Sequence, residues 1–223
     1  MIRILHTADW HLGQTFFGYD RTKEHEAFLD WLLREIRKNE IDALIIAGDV
    51  FDVSNPSAAS QRMYYEFIYR VTAENPGLQI VIVAGNHDSA ARLEAPLPLL
   101  QAMRTEVRGV VRKLNEGEID YDHLAVELKN REGEVEVLCM AVPFLRQGDY
   151  PVVETEGNPY MEGVRELYTQ LLQRLWARRK TNQAILAIGH LQATGSEIAE
   201  KDYSERTVIG GLECLSLIHI SEP

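Results

Sequence analysis

Short apolar runs alternate with amphipathic stretches along the first half of the chain. Residues 2–7, 42–48 and 79–85 are apolar runs of strand length. Between them, residues 24–38 and 57–74 place apolar side chains at helical spacing. Continuous apolar strands separated by helices are typical of a sheet that is covered on both faces. The first half therefore predicts an α/β fold with a buried sheet.

The pattern changes in the second half. Residues 108–114, 123–129 and 134–142 alternate apolar and polar positions and carry few helix signals, which predicts a second sheet of antiparallel character. A long helix follows near residues 160–180, and residues 184–190 form another apolar run that ends in a histidine. Because no internal repeat or low-complexity linker interrupts the pattern, we expect one domain.

Composition narrows the class of protein. The 223 residues suit one compact α/β domain, and 45% hydrophobic residues with 26% charged residues are typical of globular proteins. The net charge of −11 argues against loose binding to polyanions, although bound metal ions could supply local positive charge. Two cysteines without a CxxC pair indicate a reducing compartment. The chain has neither a signal peptide nor a run of roughly 18 apolar residues, so we expect a cytoplasmic protein without membrane segments.

Polar side chains follow four of the predicted strands. They occur in the strings LHTADWH, IIAGDVFD, VIVAGNHD and AIGH, in each of which the end of an apolar strand is followed by polar side chains. In an open α/β sheet, groups just past the carboxyl ends of the strands line the ligand crevice. Carboxylate, amide and imidazole groups suit a divalent ion such as manganese or iron, and the lack of cysteine argues against structural zinc. The collected side chains are Asp9, His11, Asp49, Asp52, Asn86, His87, Asp88 and His190.

Each of these side chains also has an ordinary structural explanation. An Asp after a strand commonly caps a turn or helix, and a single His is more often a core or surface group. The coincidence at four strand ends favours a shared metal site over four unrelated caps. For Asp52, a supporting role behind the ligands and a capping role both stay open. Asp88 could also cap the helix that follows it.

The ordered motifs ADWH, GDVFD, GNHD and GH resemble those of the calcineurin-like metallophosphoesterases. The longer strings ILHTADWHLGQ, HEAFLDWLL, AGNHDS, PFLR and IGGLE are similar to one branch, the SbcD nuclease subunits of bacteria. The resemblance covers residues 1–213. It implies a four-layer α/β/β/α sandwich that holds two divalent metal ions, most commonly manganese.

The resemblance also implies roles for the residues in these motifs. Asp9 and His11 would bind one ion, Asn86 and His190 would bind the other, and Asp49 would bridge the two. A carboxylate between two cations offsets their mutual repulsion, which agrees with that arrangement.

Two further residues would take part in catalysis without binding the metal. His87 would face the scissile phosphate, where it stabilises the transition state or protonates the leaving oxygen. Asp88 would support the His87 imidazole through its other ring nitrogen. Both are therefore expected to be catalytic residues.

The activity implied by the resemblance is metal-dependent hydrolysis of DNA phosphodiesters. SbcD proteins act as exonuclease and endonuclease with an SbcC-type ATPase in DNA end processing, replication, recombination and repair. A homodimer within a heterotetramer is the assembly we expect. One alternative is a phosphatase or small phosphodiesterase, which Val53 disfavours because phosphatases of the superfamily carry Gly-Asp-x-x-Asp-Arg-Gly here. The other is an inactive fragment that dimerises or contacts DNA.

The end of the chain departs from the family pattern. After a predicted polar loop at residues 191–207, the expected Gly-His-x-His motif does not occur, and His219 lies in Ile-His-Ile. We therefore expect residues 1–213 to be a truncated phosphoesterase domain with an incomplete second sheet. Each metal site would lack one histidine, and residues 214–223 are expected to be a non-native tail.

Overall fold

Two sheets lie face to face between two layers of helices. The computed structural model describes residues 1–194 and 214–216. The strands are β1 (Ile4–Thr7), β2 (Thr15–Phe16), β3 (Tyr19–Asp20), β4 (Ala43–Ala47), β5 (Gln79–Val83), β6 (Thr105–Arg108), β7 (Ala125–Lys129), β8 (Val135–Val142), β9 (Ala184–Gly189), β10 (Gln192–Thr194) and β11 (Cys214–Ser216). The α-helices are α1 (Thr22–Lys38), α2 (Ala58–Glu74), α3 (Ala90–Glu94), α4 (Leu97–Ala102) and α5 (Pro159–Arg178).

The first sheet has the order β1-β4-β5-β6, and all its strands are parallel. Its central strand β4 is buried along its whole length. Leu44 and Ile46 pack with the apolar faces of α1 and α2. Ala43, Ile45 and Ala47 point the other way and pack against the second sheet. This burial on both faces explains why the strand is a continuous apolar run and not an alternating one.

The second sheet has the order β7-β8-β9 and is mixed. β7 pairs with β8 in antiparallel fashion, as expected, and β9, for which the sequence predicted no direction, runs parallel to β8. A parallel pair needs a long crossover, and α5 supplies it. Leu167 and Leu171 of α5 pack on Met140 and Val142 of β8, which closes the fourth layer. The predicted α/β/β/α sandwich is confirmed.

One predicted strand of the second sheet lies elsewhere. The prediction for residues 108–114 was wrong, because the extended segment is β6 and it pairs in parallel with β5 in the first sheet. Beyond it, the carboxylate of Glu94 accepts the backbone N–H groups of Gly109 and Val110 at 2.8 and 3.2 Å. Those donors are then no longer available to a strand ladder, which ends the strand.

Short elements complete the described part of the chain. The β2–β3 hairpin and α4 were not predicted from the sequence, whereas α3 lies where a helix was expected after Asp88. β10 lies within the predicted polar loop and pairs in parallel with β11, which lies beyond it. Residues 195–207 of that loop lie outside the described residues. Because only β11 of residues 214–223 is described, the non-native tail stays a prediction, as does the incomplete second sheet. None of the described helices combines the length and apolar character needed to cross a bilayer.

A buried hydroxyl offers a direct test of the packing of α2. Tyr64 is fully buried, and its hydroxyl has no hydrogen-bond partner among the described residues. We expect Tyr64→Phe to raise the free energy of unfolding by about 1 kcal/mol, because it removes a polar group whose burial is uncompensated. Urea denaturation followed by circular dichroism measures the change.

Tyr69 lies on the same helix and is 66% exposed, so Tyr69→Phe is the matched control. Its free energy of unfolding should change by less than about 0.5 kcal/mol. A lower stability of Tyr64→Phe than of the parent protein would show that the hydroxyl is satisfied by a group such as a buried water.

Candidate metal centre

Four loops meet at the carboxyl edge of the sandwich, and each follows a strand of one of the two sheets. The parallel register aligns β1, β4 and β5, so their ends lie side by side, and β9 ends on the facing sheet. Every predicted site residue lies at this edge. They are Asp9 and His11 after β1, Asp49 and Asp52 after β4, Asn86, His87 and Asp88 after β5, and His190 after β9.

Three of the candidate ligands have left-handed backbone conformations. The φ angles of Asp9, His11 and Asp49 are 56°, 45° and 48°. Such values are uncommon outside glycine and occur where surrounding contacts fix them. Here the N–H of Asp9 donates to the carbonyl of Gly48 at 3.1 Å, and the N–H of His11 donates to the carbonyl of Asp49 at 2.9 Å. The two loops therefore hold each other in these turned conformations.

Two glycines are required by close approach of the ligands. Gly48, with φ of 92°, lies against the ring of His190, and Gly85 lies against the carboxylate of Asp49. A Cβ atom at either position would collide with the neighbouring side chain. The glycines before Asp49 and Asn86 thus allow side chains from separate strands to converge.

The centre of the site is the carboxylate of Asp49, which is only 3% exposed. Its Oδ2 lies 3.5 Å from Nε2 of His190, 3.7 Å from Nε2 of His11 and 4.0 Å from Nε2 of His87. Its Oδ1 accepts the backbone N–H of His87 at 2.9 Å. Three imidazoles therefore turn the same nitrogen toward one buried anion.

The other nitrogen of two of these rings faces a backbone carbonyl. Nδ1 of His190 lies 2.9 Å from the carbonyl oxygen of Ala47, and Nδ1 of His87 lies 2.7 Å from that of Asp52. A carbonyl oxygen can only accept, so Nδ1 carries the hydrogen in both rings. In the neutral rings, Nε2 then presents its lone pair to the centre, which is the tautomer a metal ligand needs.

The carboxylate of Asp52 lies near the third imidazole. Its Oδ1 is 3.5 Å from Nδ1 of His11, a buried nitrogen that forms no hydrogen bond among the described residues. Asp52 thus contacts His11 through its side chain and His87 through its main chain. The sequence left its role open between support and cap, and the structure favours support. The carbonyl contact left no signal in the sequence, because every residue has a carbonyl.

The donor atoms form two groups that share Asp49. One group contains His11, Asp49 and His87, and the other contains Asp9, Asp49 and His190, with the donor atoms of each group within 4.8 Å of one another. Asn86 adds its Oδ1 at 2.9 Å from Nε2 of His190.

The grouping differs from the expected assignment in two respects. Asp9 groups with His190, and Nε2 of His87 reaches the ligand cluster. No Lys or Arg of the described residues forms an ion pair with Asp9 or Asp49. Uncompensated carboxylates beside oriented imidazoles fit divalent cations.

Burial and charge shift the pKa values of these groups. Burial raises the pKa of Asp9. Burial would also raise the pKa of Asp49, but hydrogen bonding and the charge of His190, with the N–H of His87, lower it. For His190, burial opposes the charged form, yet the contact with Asp49 and the Ala47 carbonyl raises the pKa to about 9. A divalent ion would therefore have to displace a proton from His190.

The structure gives Asp88 different partners from those expected. Its buried carboxylate accepts the backbone N–H groups of Gly85, Val50 and Phe51 at 2.9, 3.2 and 3.0 Å. The expected support of the His87 ring by Asp88 was wrong, because the Asp52 carbonyl takes that position. The helix α3 has Ser89 as its N-cap, so Asp88 does not cap that helix either. Instead it joins the loop after β5 to the loop after β4.

Comparison with known proteins agrees with this geometry. Residues 2–211 match the Metallophos family, the calcineurin-like phosphoesterases. The chain is 38% identical over 217 residues to the SbcD component of nuclease SbcCD from Rhodobacter capsulatus. This match covers 94% of this chain and 52% of that protein. It is 32% identical over 219 residues to the protein of the same name from Escherichia coli K12, and this match covers 95% of this chain and 51% of that protein.

The chain spans about half the length of these two relatives. The chain shares 22% sequence identity with nuclease MPE from Pseudomonas putida. The crystal structure of that nuclease matches over 51% of each chain with a TM-score of 0.33. The match to the Metallophos family covers nearly the whole chain, and the curated relatives confirm the resemblance to SbcD proteins. With its sandwich fold and its histidine and aspartate cluster at the strand ends, the chain belongs to the calcineurin-like phosphoesterase family.

Proposed function

We propose that this chain is the nuclease domain of an SbcD-type enzyme that hydrolyses DNA phosphodiesters with divalent metal ions. The observation that carries the proposal is the buried carboxylate of Asp49, which is shared by two groups of donor atoms. A shared carboxylate is the ligand that two neighbouring cations require. The two bacterial relatives are named as parts of a nuclease, which supports a nucleic acid as the substrate.

Five residues would hold the metal. Asp9, His11, Asn86 and His190 would each bind one of two ions, most commonly Mn²⁺, and Asp49 would bind both. When bound, the ions polarise the phosphate and lower the pKa of water so that it can attack phosphorus. The hydrogen bond of His190 Nδ1 to the Ala47 carbonyl holds that ring with Nε2 toward the centre, so the ring does not have to reorient on binding.

His87 would act on the substrate. Its Nδ1 hydrogen is committed to the carbonyl of Asp52, so only Nε2 faces the centre. In the protonated ring, Nε2–H can donate to a phosphate oxygen on which negative charge develops, or transfer its proton to the leaving oxygen. Asp88 would position this residue indirectly, because it fixes the loop backbone on both sides of the site.

The likeness to SbcD proteins supports a proposal for the assembly and location. We infer that the chain acts with an SbcC-type ATPase, as a homodimer within a heterotetramer, on DNA ends in the cytoplasm. The competing activities are hydrolysis of phosphoproteins and of small phosphodiesters. Turnover of linear duplex DNA in Mn²⁺, set against turnover of a phosphoprotein, separates them. Cleavage of the phosphoprotein alone would overturn the proposal.

Removing the shared carboxylate tests the metal assignment. In a full-length protein that contains this chain, we expect Asp49→Asn to weaken Mn²⁺ binding by more than about 100-fold and to abolish DNA cleavage. Losing groups that merely support a ligand typically costs about 10–100-fold in affinity, and Asp49 would contact both ions. Calorimetric titration with Mn²⁺ and a nuclease assay on linear duplex DNA measure the two effects.

Asp122 is an exposed aspartate paired with Arg178 on the surface, so Asp122→Asn is the control for loss of one negative charge. Its binding and cleavage should match the parent protein. Near-parental cleavage by Asp49→Asn would contradict the assignment of Asp49 as the shared ligand.

Replacing His87 separates substrate contact from metal ligation. We expect His87→Gln to bind two Mn²⁺ ions as before and to lose turnover by about 10²–10⁴-fold, because a positioned proton donor is missing. Calorimetry gives the stoichiometry and steady-state kinetics give the turnover. A titration that shows only one bound ion would make His87 a ligand, as its place beside His11 and Asp49 allows.

The loop contacts of Asp88 predict an effect on stability as well as activity. Asp88→Asn exchanges one acceptor oxygen for an NH₂ group, so at least one of the three N–H groups would face a donor. We expect the free energy of unfolding to fall by about 1–3 kcal/mol, as for a buried donor left without a partner. Urea denaturation measures it, and an unchanged midpoint would contradict the role of Asp88 as the link between the two loops.

A further inference from the structure

The surroundings of the candidate metal centre must accept a polyanion although the chain carries a net charge of −11. The centre itself contributes carboxylates, and like charges repel a phosphate backbone. Cationic side chains close to the centre are therefore of special interest. Arg146, in the loop after β8, is one of them. Its side chain is exposed, and no carboxylate of the described residues forms an ion pair with its guanidinium.

The guanidinium of Arg146 lies over an aromatic ring that borders the centre. Its Cζ lies 5.4 Å from the centroid of the Phe144 ring. The Phe144 ring in turn lies 6.4 Å from the ring of His190, at an angle of 71°. The backbone N–H of Phe144 donates to the carbonyl of Ala84 at 2.8 Å, two residues before Asn86. Phe144 is thus attached to the ligand loop as well as to the ligand ring.

The backbone of Arg146 is also fixed. Its N–H donates to a carboxylate oxygen of Asp149 at 2.8 Å, and the N–H of Asp149 donates to its carbonyl at 2.9 Å. In this turn the Asp149 carboxylate is bound by main-chain N–H, and the Arg146 guanidinium forms no ion pair with the described residues. An arginine with an anchored backbone and a cation–π contact at its head loses little conformational freedom when it binds an anion.

We propose that Arg146, which lies over the ring of Phe144, forms a subsite for a phosphodiester group up to about three to four nucleotides along the strand from the one that is cleaved. The inference rests on the proposed nuclease function and deepens it. The two ring contacts put the guanidinium within about 12 Å of the His190 ring, a distance that spans about three to four nucleotides of one strand at 3.4 Å each. The cation–π contact uses none of the guanidinium N–H groups, and none of them donates a hydrogen bond among the described residues, so they can bind phosphate oxygens.

The chain offers a matched control for this arrangement. Arg174 lies 4.7 Å above the ring of Tyr121, so it makes the same kind of cation–π contact. It belongs to α5, which covers the outer face of the second sheet and not the strand ends. Loss of its charge alters the net charge as much as loss of Arg146 does, but removes no group beside the ligands.

The test measures turnover of two substrates, and separately DNA binding, in a full-length protein that contains this chain. Bis(p-nitrophenyl) phosphate is a diester with a single phosphate, whereas duplex DNA carries neighbouring phosphates. We expect Arg146→Gln to raise KM for DNA about tenfold, as expected for loss of a charged hydrogen bond, and to leave kcat/KM for the small diester unchanged. Arg146→Lys should retain part of the DNA affinity, and Arg174→Gln should match the parent protein.

DNA affinity without turnover gives an independent measurement. Fluorescence anisotropy in EDTA, repeated over a range of salt, should show weaker binding for Arg146→Gln and a salt slope reduced by about one. An unchanged affinity and slope would overturn the subsite, whether or not the protein cleaves DNA. Equal losses on DNA and on the small diester would also overturn it, because Arg146 would then act on the centre itself. Failure of the parent protein to cleave either substrate would instead count against the proposed nuclease function.

Discussion

The site is organised around one buried carboxylate that faces three imidazole nitrogens. A carboxylate as enclosed as that of Asp49 is costly unless hydrogen bonds and positive charge compensate it. The backbone N–H of His87 and the charge of the His190 ring provide part of that compensation. The position of these rings depends on the fold, because three rings can converge on one oxygen only where strands from both sheets end together.

The sandwich supplies that convergence through simple packing rules. Parallel strands in register end at one edge of the first sheet, and the parallel pairing of β9 with β8 brings His190 to the same edge from the second sheet. The interface between the sheets contains small residues such as Ala43, Ala47 and Ala141, which let the sheets approach closely. Contacts such as that between Gly48 and the His190 ring depend on this approach. The packing of the two sheets therefore also determines the geometry of the ligands.

Sequence patterns predicted the elements whose burial is uniform and missed the features made by individual polar contacts. The strands β4 and β5 and their polar ends were evident, because both faces are buried and the chain must leave the sheet at a glycine. The segment after β6 looked like a strand, but the carboxylate of Glu94 takes its backbone donors, and no local pattern records a partner so distant along the chain. Asp88 was misassigned for the same reason, since a carboxylate beside a histidine suggests a side-chain pair, yet its actual partners are backbone groups of two loops. The convergence of the ligands followed from where strands end, whereas the choice among nearby acceptors depends on loop contacts that the sequence pattern does not show.

The left-handed backbone at Asp9, His11 and Asp49 has a consequence for how such a site decays over evolutionary time. Loss of the ligand and loss of the loop are separable there, because glycine and asparagine tolerate this conformation whereas β-branched residues do not. A descendant that abandons catalysis but keeps its fold should therefore carry glycine or asparagine at these three positions. Inactive members of the family would then be recognisable by the residues that replace the ligands and not by the mere loss of them.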